Sequence, residues 1–290
     1  MNFKKKLSSG EFVVLAEMEP PRGVDISGFV TNARRIQGRV DAAVIPDMDN
    51  GVMKMSAIGG GALMFQQGID PIMHIYGRDR NRMALQGDIL AASVLGIANF
   101  IVVPGEQMEK SDHRDAKTVD DLDEISLIKA AQSLKNGLAI SGSELKSAPD
   151  ITIGCAIAPH GDEKEMDFAL EQAARKIEAG ASFIISPHVF DMERFVSFFE
   201  KASKLGVPVI PSVFLLKSVG IARYLSNYEP GASISDEMIK RIRKSPDRET
   251  ECLKIAGETI AALKEIAHGV KIQTLGWEHR LPDILDFAGI

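Results

Sequence analysis

The stretch VVLAEMEPPRGVD, residues 13–25, runs as an apolar strand into Glu17 and Glu19 and then into a double proline. A partly desolvated carboxyl at the end of a buried strand can have a raised pKa and serve as a general acid. Successive strand residues point to opposite sides, so Glu17 falls with Val13 and Leu15, while Phe12, Ala16 and Met18 fall on the other side. The plainer alternative is an ion pair with an arginine such as Arg22 or Arg78. On residue type alone that alternative prevails, since most charged strand ends are structural or merely solvated. The prolines cannot continue the strand's hydrogen bonding and so end it just past the acid.

Other reactive side chains also close apolar runs. His74 lies within DPIMHIYG, where a satisfied core histidine is the commoner outcome, and no second histidine stands at metal-ligand spacing. The run RDRNR, residues 78–82, is a solvated loop or, at a barrel mouth, a source of positive charge for phosphates. The acidic run DDLDE, residues 120–124, reads first as a capped helix start. Cys155 and Cys252 are too few for a zinc cluster or a disulfide framework, and Cys155 reads as a small core residue.

Composition sets the frame for these groups. The 290 residues are 45% hydrophobic and 26% charged, which suits a globular chain with a full core. A net charge of −6 with no basic face excludes a nucleic-acid footprint, and Lys4 to Lys6 reads as a solvated terminus. No long apolar run suggests a membrane span or a signal peptide, so the expected compartment is the reducing cytoplasm.

Eight short apolar runs must position the candidate groups: EFVVLAEME, VDAAVIPD, DPIMHIYG, NFIVVPGE, ITIGCAIAP, SFIISPHVF, VPVIPSVFL and VKIQTLG. Longer amphipathic stretches alternate with them, several ending at a glycine helix stop. Eight βα units without a break in composition predict one (β/α)8 TIM-barrel domain over residues 1–290, with an extra helix in residues 228–247 before the last βα unit. A doubly wound sheet is the runner-up, but no GxGxxG follows the first strand. In a barrel the chemistry lies where the strands end. From physics alone the chain is a barrel enzyme with an acid on strand one and a phosphorylated ligand or cofactor.

The ordered set EMEPPRG, HIYGRDRNR, VVPGE, SDHRDAKTVDDLD, KIEAGASFIISPHVFD, VFLLKSVGIARYL and LGWE resembles the methylenetetrahydrofolate reductase family, in its short bacterial and archaeal form, over essentially the whole chain. The resemblance implies a barrel that binds flavin, FAD or alternatively FMN, and takes electrons from NAD(P)H or another donor. It implies reduction of 5,10-methylenetetrahydrofolate to 5-methyltetrahydrofolate, within one-carbon metabolism, with Glu17 protonating N10 of the folate. Glu19 then becomes a loop residue.

Further positions carry over from the resemblance one at a time. Pro46 and Asp47 match a flavin-side "TD" pair, without its threonine hydroxyl, and His74 matches a flavin-contacting histidine. Gly105 and Glu106 match a "GD" loop near flavin and pterin, Glu106 standing where an aspartate is usual. His113, Asp115 and Lys117 match a loop closing over the flavin, and Asp121 a further contact. Arg175 and Lys176 match holders of the diphosphate. Two departures stand out: Pro187 replaces a pterin-binding glutamine, which shifts substrate contact towards His188 or the substrate towards a modified pterin, and Ala158 replaces an aromatic flavin contact.

The alternative function is a pterin- or flavin-binding subunit that works with an iron–sulfur partner, since the chain has no cysteine cluster of its own. A homo-oligomer is compatible with its exposed helix faces. An aldolase-like barrel would need a Schiff-base lysine at a strand end, for which Lys217, also a substrate-contact candidate, is the residue available.

Overall fold

The computed structural model describes residues 3–158 and 161–290. Eight parallel strands close into a barrel in chain order. They are β1 (Val13–Glu17), β2 (Ala42–Ile45), β3 (Asp70–Ile75), β4 (Asn99–Val102), β5 (Thr152–Ala156), β6 (Ile184–His188), β7 (Val209–Phe214) and β8 (Gly269–Gln273). Each falls within or overlaps one of the eight apolar runs. The runs are nearly continuous because strands in a closed parallel barrel are covered on both sides. The alternation along β1 holds as expected: Val13 and Leu15 join Ala42, Val44, Ile72, Tyr76, Ile101 and Ile210 in the barrel interior. Val14, Ala16 and Met18 pack outwards in the layer shared with the helices.

The helices are α1 (Phe3–Ser9), α2 (Ser27–Ile36), α3 (Ala57–Gln66), α4 (Arg82–Val94), α5 (Glu124–Lys135), α6 (Glu163–Glu178) and α7 (Met192–Ala202). Then come α8 (Val219–Tyr228), α9 (Asp236–Lys244) and α10 (Arg248–Lys264), all between β7 and β8, and finally α11 (Leu281–Phe287). The extra helix expected before the last βα unit is α9, and α8 precedes it on the same connection. Side-chain caps fix where helices begin beside the mouth: Asn81 accepts from the amides of Met83 and Ala84, and Asp162 forms a capping box with Glu165.

The amino-terminal lysines are solvated as expected, Lys4 and Lys5 being exposed, but they sit on a helix. Residues 4–6 belong to α1, with Lys4 paired to Asp150 and Lys6 to Asp41. Phe3 is fully buried edge-on against Phe183 at 5.5 Å, so α1 plugs the barrel floor. The three lysines masked a helix whose apolar face is only Phe3 and Leu7. No helix among the described residues is long and apolar enough to cross a membrane.

Two local features shape the mouth. In β6 the pairing runs Ile184 to Val209 and Ile185 to Ile210, and then His188 to Ser212. One extra residue is thus accommodated at Ser186–Pro187, a β-bulge at a residue that cannot donate to the ladder. After β3, a Cβ at Gly77 would overlap the carbonyl oxygen of Leu122. That segment is tied down by Val119, whose amide donates to the Arg78 carbonyl at 2.7 Å. Gly77→Ala is therefore expected to lower stability by about 1–3 kcal/mol, the usual cost of overpacking. Thermal unfolding checks this, and an unchanged melting temperature would refute it.

Candidate active site

Glu17 ends the interior row of β1 and is 3% exposed. Its Oε2 lies 2.7 Å from Nζ of Lys271, a buried residue of β8. The register places Lys271 beside Leu15 on one flank and Ser212 on the other, so it shares their inward direction. The ion pair anticipated for Glu17 exists, but with neither Arg22 nor Arg78. The available signal for Lys271 was a lone charge inside the apolar run VKIQTLG.

Two further carboxylates meet bases close by. Glu19 lies in the loop after β1, as expected, and its Oε2 sits 2.6 Å from Nζ of Lys54, a buried lysine. Burial pushes the Glu19 carboxyl above its ordinary range against the pull of Lys54, and the charges of Glu17 and Asp49 push the same way as burial. Asp49, on the turn after β2, lies 3.4 Å from Nδ1 of His74. Burial opposes ionisation of Asp49, yet His74 and Lys54 together hold its carboxyl below the usual range. His74 is buried, as its strand position required. The mouth thus gathers Glu17–Lys271, Glu19–Lys54 and Asp49–His74, three acid–base pairs from five chain segments.

The arginine run does not supply free positive charge. Arg78 is buried and donates to Asp79 and to the carbonyls of Met48 at 2.8 Å and Glu106 at 2.7 Å. Arg80 pairs with Asp47 at 2.8 Å and Asp88 at 3.1 Å. Arg82 engages Asp121 through both side chain and amide, which holds the Asp121 carboxyl at about 2. These guanidiniums fasten loops instead of waiting for phosphate.

The remaining candidates divide by location. Pro46 is buried at the end of β2, and Asp47 beside it also accepts from the Ala57 amide at 3.1 Å, starting α3. Gly105 lies against Arg78, where a Cβ would come within 2.9 Å of the arginine's own. The Glu106 amide donates to the Asp49 carbonyl at 2.7 Å, but its carboxylate reaches Lys110 at 3.0 Å. His113, paired with Asp112 at 2.6 Å, and Lys117 line a pocket of about 230 Å³ with Met48, Met53 and Met108. Asp115 is exposed outside that lining.

Lys176 is buried, bonds Glu124 at 2.5 Å and the Ala156 carbonyl at 3.1 Å, and lines a groove of about 740 Å³ with Ile157, Ala158 and Phe168. Arg175 stays on the outer surface of α6 with Glu171 at 2.6 Å, so the two neighbours are not brought together. Lys217 lies beyond the end of β7, bonded to the Leu275 carbonyl and 5.6 Å from the Trp277 ring centroid. The interior lysine an aldolase-like reading looks for is therefore Lys271, not Lys217.

His188 benefits from the bulge. An unbulged β6 would set Pro187 opposite Ser212, whereas here His188 takes that place. Its Nδ1 lies 2.7 Å from Glu229 and its Nε2 2.7 Å from Gln273, with the Phe214 ring edge-on at 5.2 Å. Cys155 is in the core as expected, its thiol pushed up to about 12 by burial. No cluster of three or more metal-ligating side chains occurs among the described residues.

A closed (β/α)8 barrel with buried acid–base pairs at the carboxyl ends of its strands has the layout of barrel enzymes, whose chemistry occupies that face. The family description "Methylenetetrahydrofolate reductase" matches residues 2–289, and the chain belongs to that family of oxidoreductases. Among solved structures, the EDTA monooxygenase (EmoA) from Chelativorans sp. BNC1 is similar in fold. Its TM-score is 0.56 at 12% identity, covering 97% of this chain and 95% of that one.

Proposed function

We propose that the chain reduces 5,10-methylenetetrahydrofolate to 5-methyltetrahydrofolate, with a flavin as hydride carrier and Glu17 as the residue that protonates folate N10. The observation that carries this reading is Glu17 itself, the last inward side chain of β1, buried at the mouth and ion-paired with Lys271. Opening the five-membered ring requires a proton on N10 as its bond to the methylene carbon breaks. A group held at the mouth beside the substrate can deliver that proton.

The residues present suit a flat aromatic cofactor with a phosphate tail. The groove by β5 combines the apolar walls Ile157 and Phe168 with the Lys176 ammonium, and the methionine-lined pocket adds Lys117 and His113 at its edge. FAD or FMN bound there would take hydride from NAD(P)H or another donor and pass it to the folate. Arg175, exposed and paired with Glu171, contributes less to this reading than Lys176. His188, turned inward by the bulge and braced by Glu229 and Gln273, is the residue for orienting the pterin in place of the missing glutamine. With two cysteines the chain has too few thiolates to hold an iron–sulfur cluster, so an iron–sulfur electron donor, where one is used, resides on a partner. Robust turnover with NADH alone would exclude the need for one.

An absorbance spectrum of the purified protein, with mass spectrometry of the released cofactor, tests the reading. The expected result is a yellow protein bleached by methyltetrahydrofolate. A colourless protein that binds neither FAD nor FMN would overturn it.

A further inference from the structure

The interior lysine of β8 is unexplained by packing. Lys271 stands between Leu15 and Ser212 in a strand whose other buried side chains are apolar, and it is 7% exposed. Taking an ammonium and a carboxylate out of water is costly, and replacing such a pair by well-packed apolar residues is often neutral or stabilising. Stability therefore gives no reason for a lysine here. What the lysine adds is a transferable proton, 2.7 Å from the carboxylate that faces the mouth.

We propose that Lys271 is the proton source for ring opening and that Glu17 hands the proton on; this rests on the folate-reductase reading above. Lys271 Nζ passes its proton to the Glu17 carboxylate, and the carboxyl so formed gives that same proton to folate N10. The bond from N10 to the methylene carbon breaks with its electron pair passing to N10, and the N5 lone pair forms the iminium. The hydride that converts this iminium to the methyl group would come from the reduced flavin, were it bound at the mouth. The neutral amine of Lys271 then recovers a proton from water. The pair ends as it began, so atoms and charge balance.

This assignment separates from two simpler ones. If Glu17 acted alone, removing the neighbouring ammonium would not slow protonation, because a carboxyl freed of a cation keeps its proton more readily. If Lys271 only balanced the charge of Glu17, arginine would serve as well. Arginine holds its proton permanently in proteins, so it can replace the charge but not the transfer.

The experiment uses the flavin-loaded enzyme, chemically reduced, mixed with methylenetetrahydrofolate in a single turnover, with methyltetrahydrofolate counted. Lys271→Met and Lys271→Arg are compared with wild type, alongside melting temperature, flavin content and the folate dissociation constant. Both variants are expected to form product at least about 100-fold more slowly, within the usual range for a lost acid–base group, while still binding folate. Either variant at the wild-type rate overturns the assignment to Lys271 and leaves the function standing. Loss of folate binding along with rate also overturns it, in favour of a positioning role. A wild-type enzyme that makes no product overturns both readings together.

Discussion

Glu17→Gln should slow folate-dependent reoxidation of the flavin by roughly 10²–10⁴-fold, the contribution of a well-placed general acid. Glutamine matches glutamate in shape, and its amide oxygen can still accept from the Lys271 ammonium, so the barrel mouth keeps its form. What it cannot do is pass a proton to N10. On the proposed function, reduction of a flavin by its donor involves no folate nitrogen, and that half-reaction should run at close to its original rate. Stopped-flow measurement of the two halves separates these effects, and unchanged folate turnover would remove Glu17 from its role. The same substitution carries a stability cost. Deleting one partner of a buried pair outright costs about 3–5 kcal/mol, and the retained hydrogen bond should keep the loss below that range.

Much of this site was legible because strand alternation is a local property. Val13, Leu15 and Glu17 share a side whatever the rest of the chain does, and the barrel follows from eight apolar runs of similar length. The partner across the pair is not local. Lys271 meets Glu17 only because β8 closes on β1, and the register that sets Lys271 beside Leu15 is a property of the finished barrel.

His188 shows the same limit. One residue of slip in β6 decides whether Pro187 or His188 stands opposite Ser212, and the sequence around Ser186 carries no clear mark of it. Arg78, Arg80 and Arg82 look available for phosphate because a sequence displays charge but not its partners. Asp79 is adjacent, while Asp47, Asp88 and Asp121 arrive from elsewhere. Glu19 is the loop residue expected, but its partner Lys54 comes from a separate segment and so is hidden for the same reason.

Arg78→Met should destabilise the mouth more than any loop substitution around it. One guanidinium joins three connections: it reaches Asp79 after β3, the carbonyls of Met48 and Asp49 after β2, and the carbonyl of Glu106 after β4. It also lies over the Tyr76 ring at 5.1 Å. Methionine restores the stem's volume but leaves these acceptors and the Asp79 carboxylate without their donor, a loss of about 3–5 kcal/mol. Lysine would retain one point contact and fall between the two, because it lacks the planar fork.

The pH dependence of that loss has a fixed sign. Burial raises the Asp79 pKa, but its hydrogen bonds from Arg78 and Tyr76 outweigh burial and hold the carboxyl below its ordinary range. A depressed carboxyl stabilises the fold above its unfolded pKa of about 3.9 and loses that contribution as pH falls through the lower, folded value. The melting temperatures of wild type and Arg78→Met should therefore differ most near neutrality and converge in acid. Met48, Arg78 and Met108 border the same pocket, so a flavin held there, as proposed, should be lost from the variant before the barrel unfolds. Flavin content tracked against melting temperature checks this order, and a variant that melts with wild type at neutral pH would show that the three connections hold without Arg78.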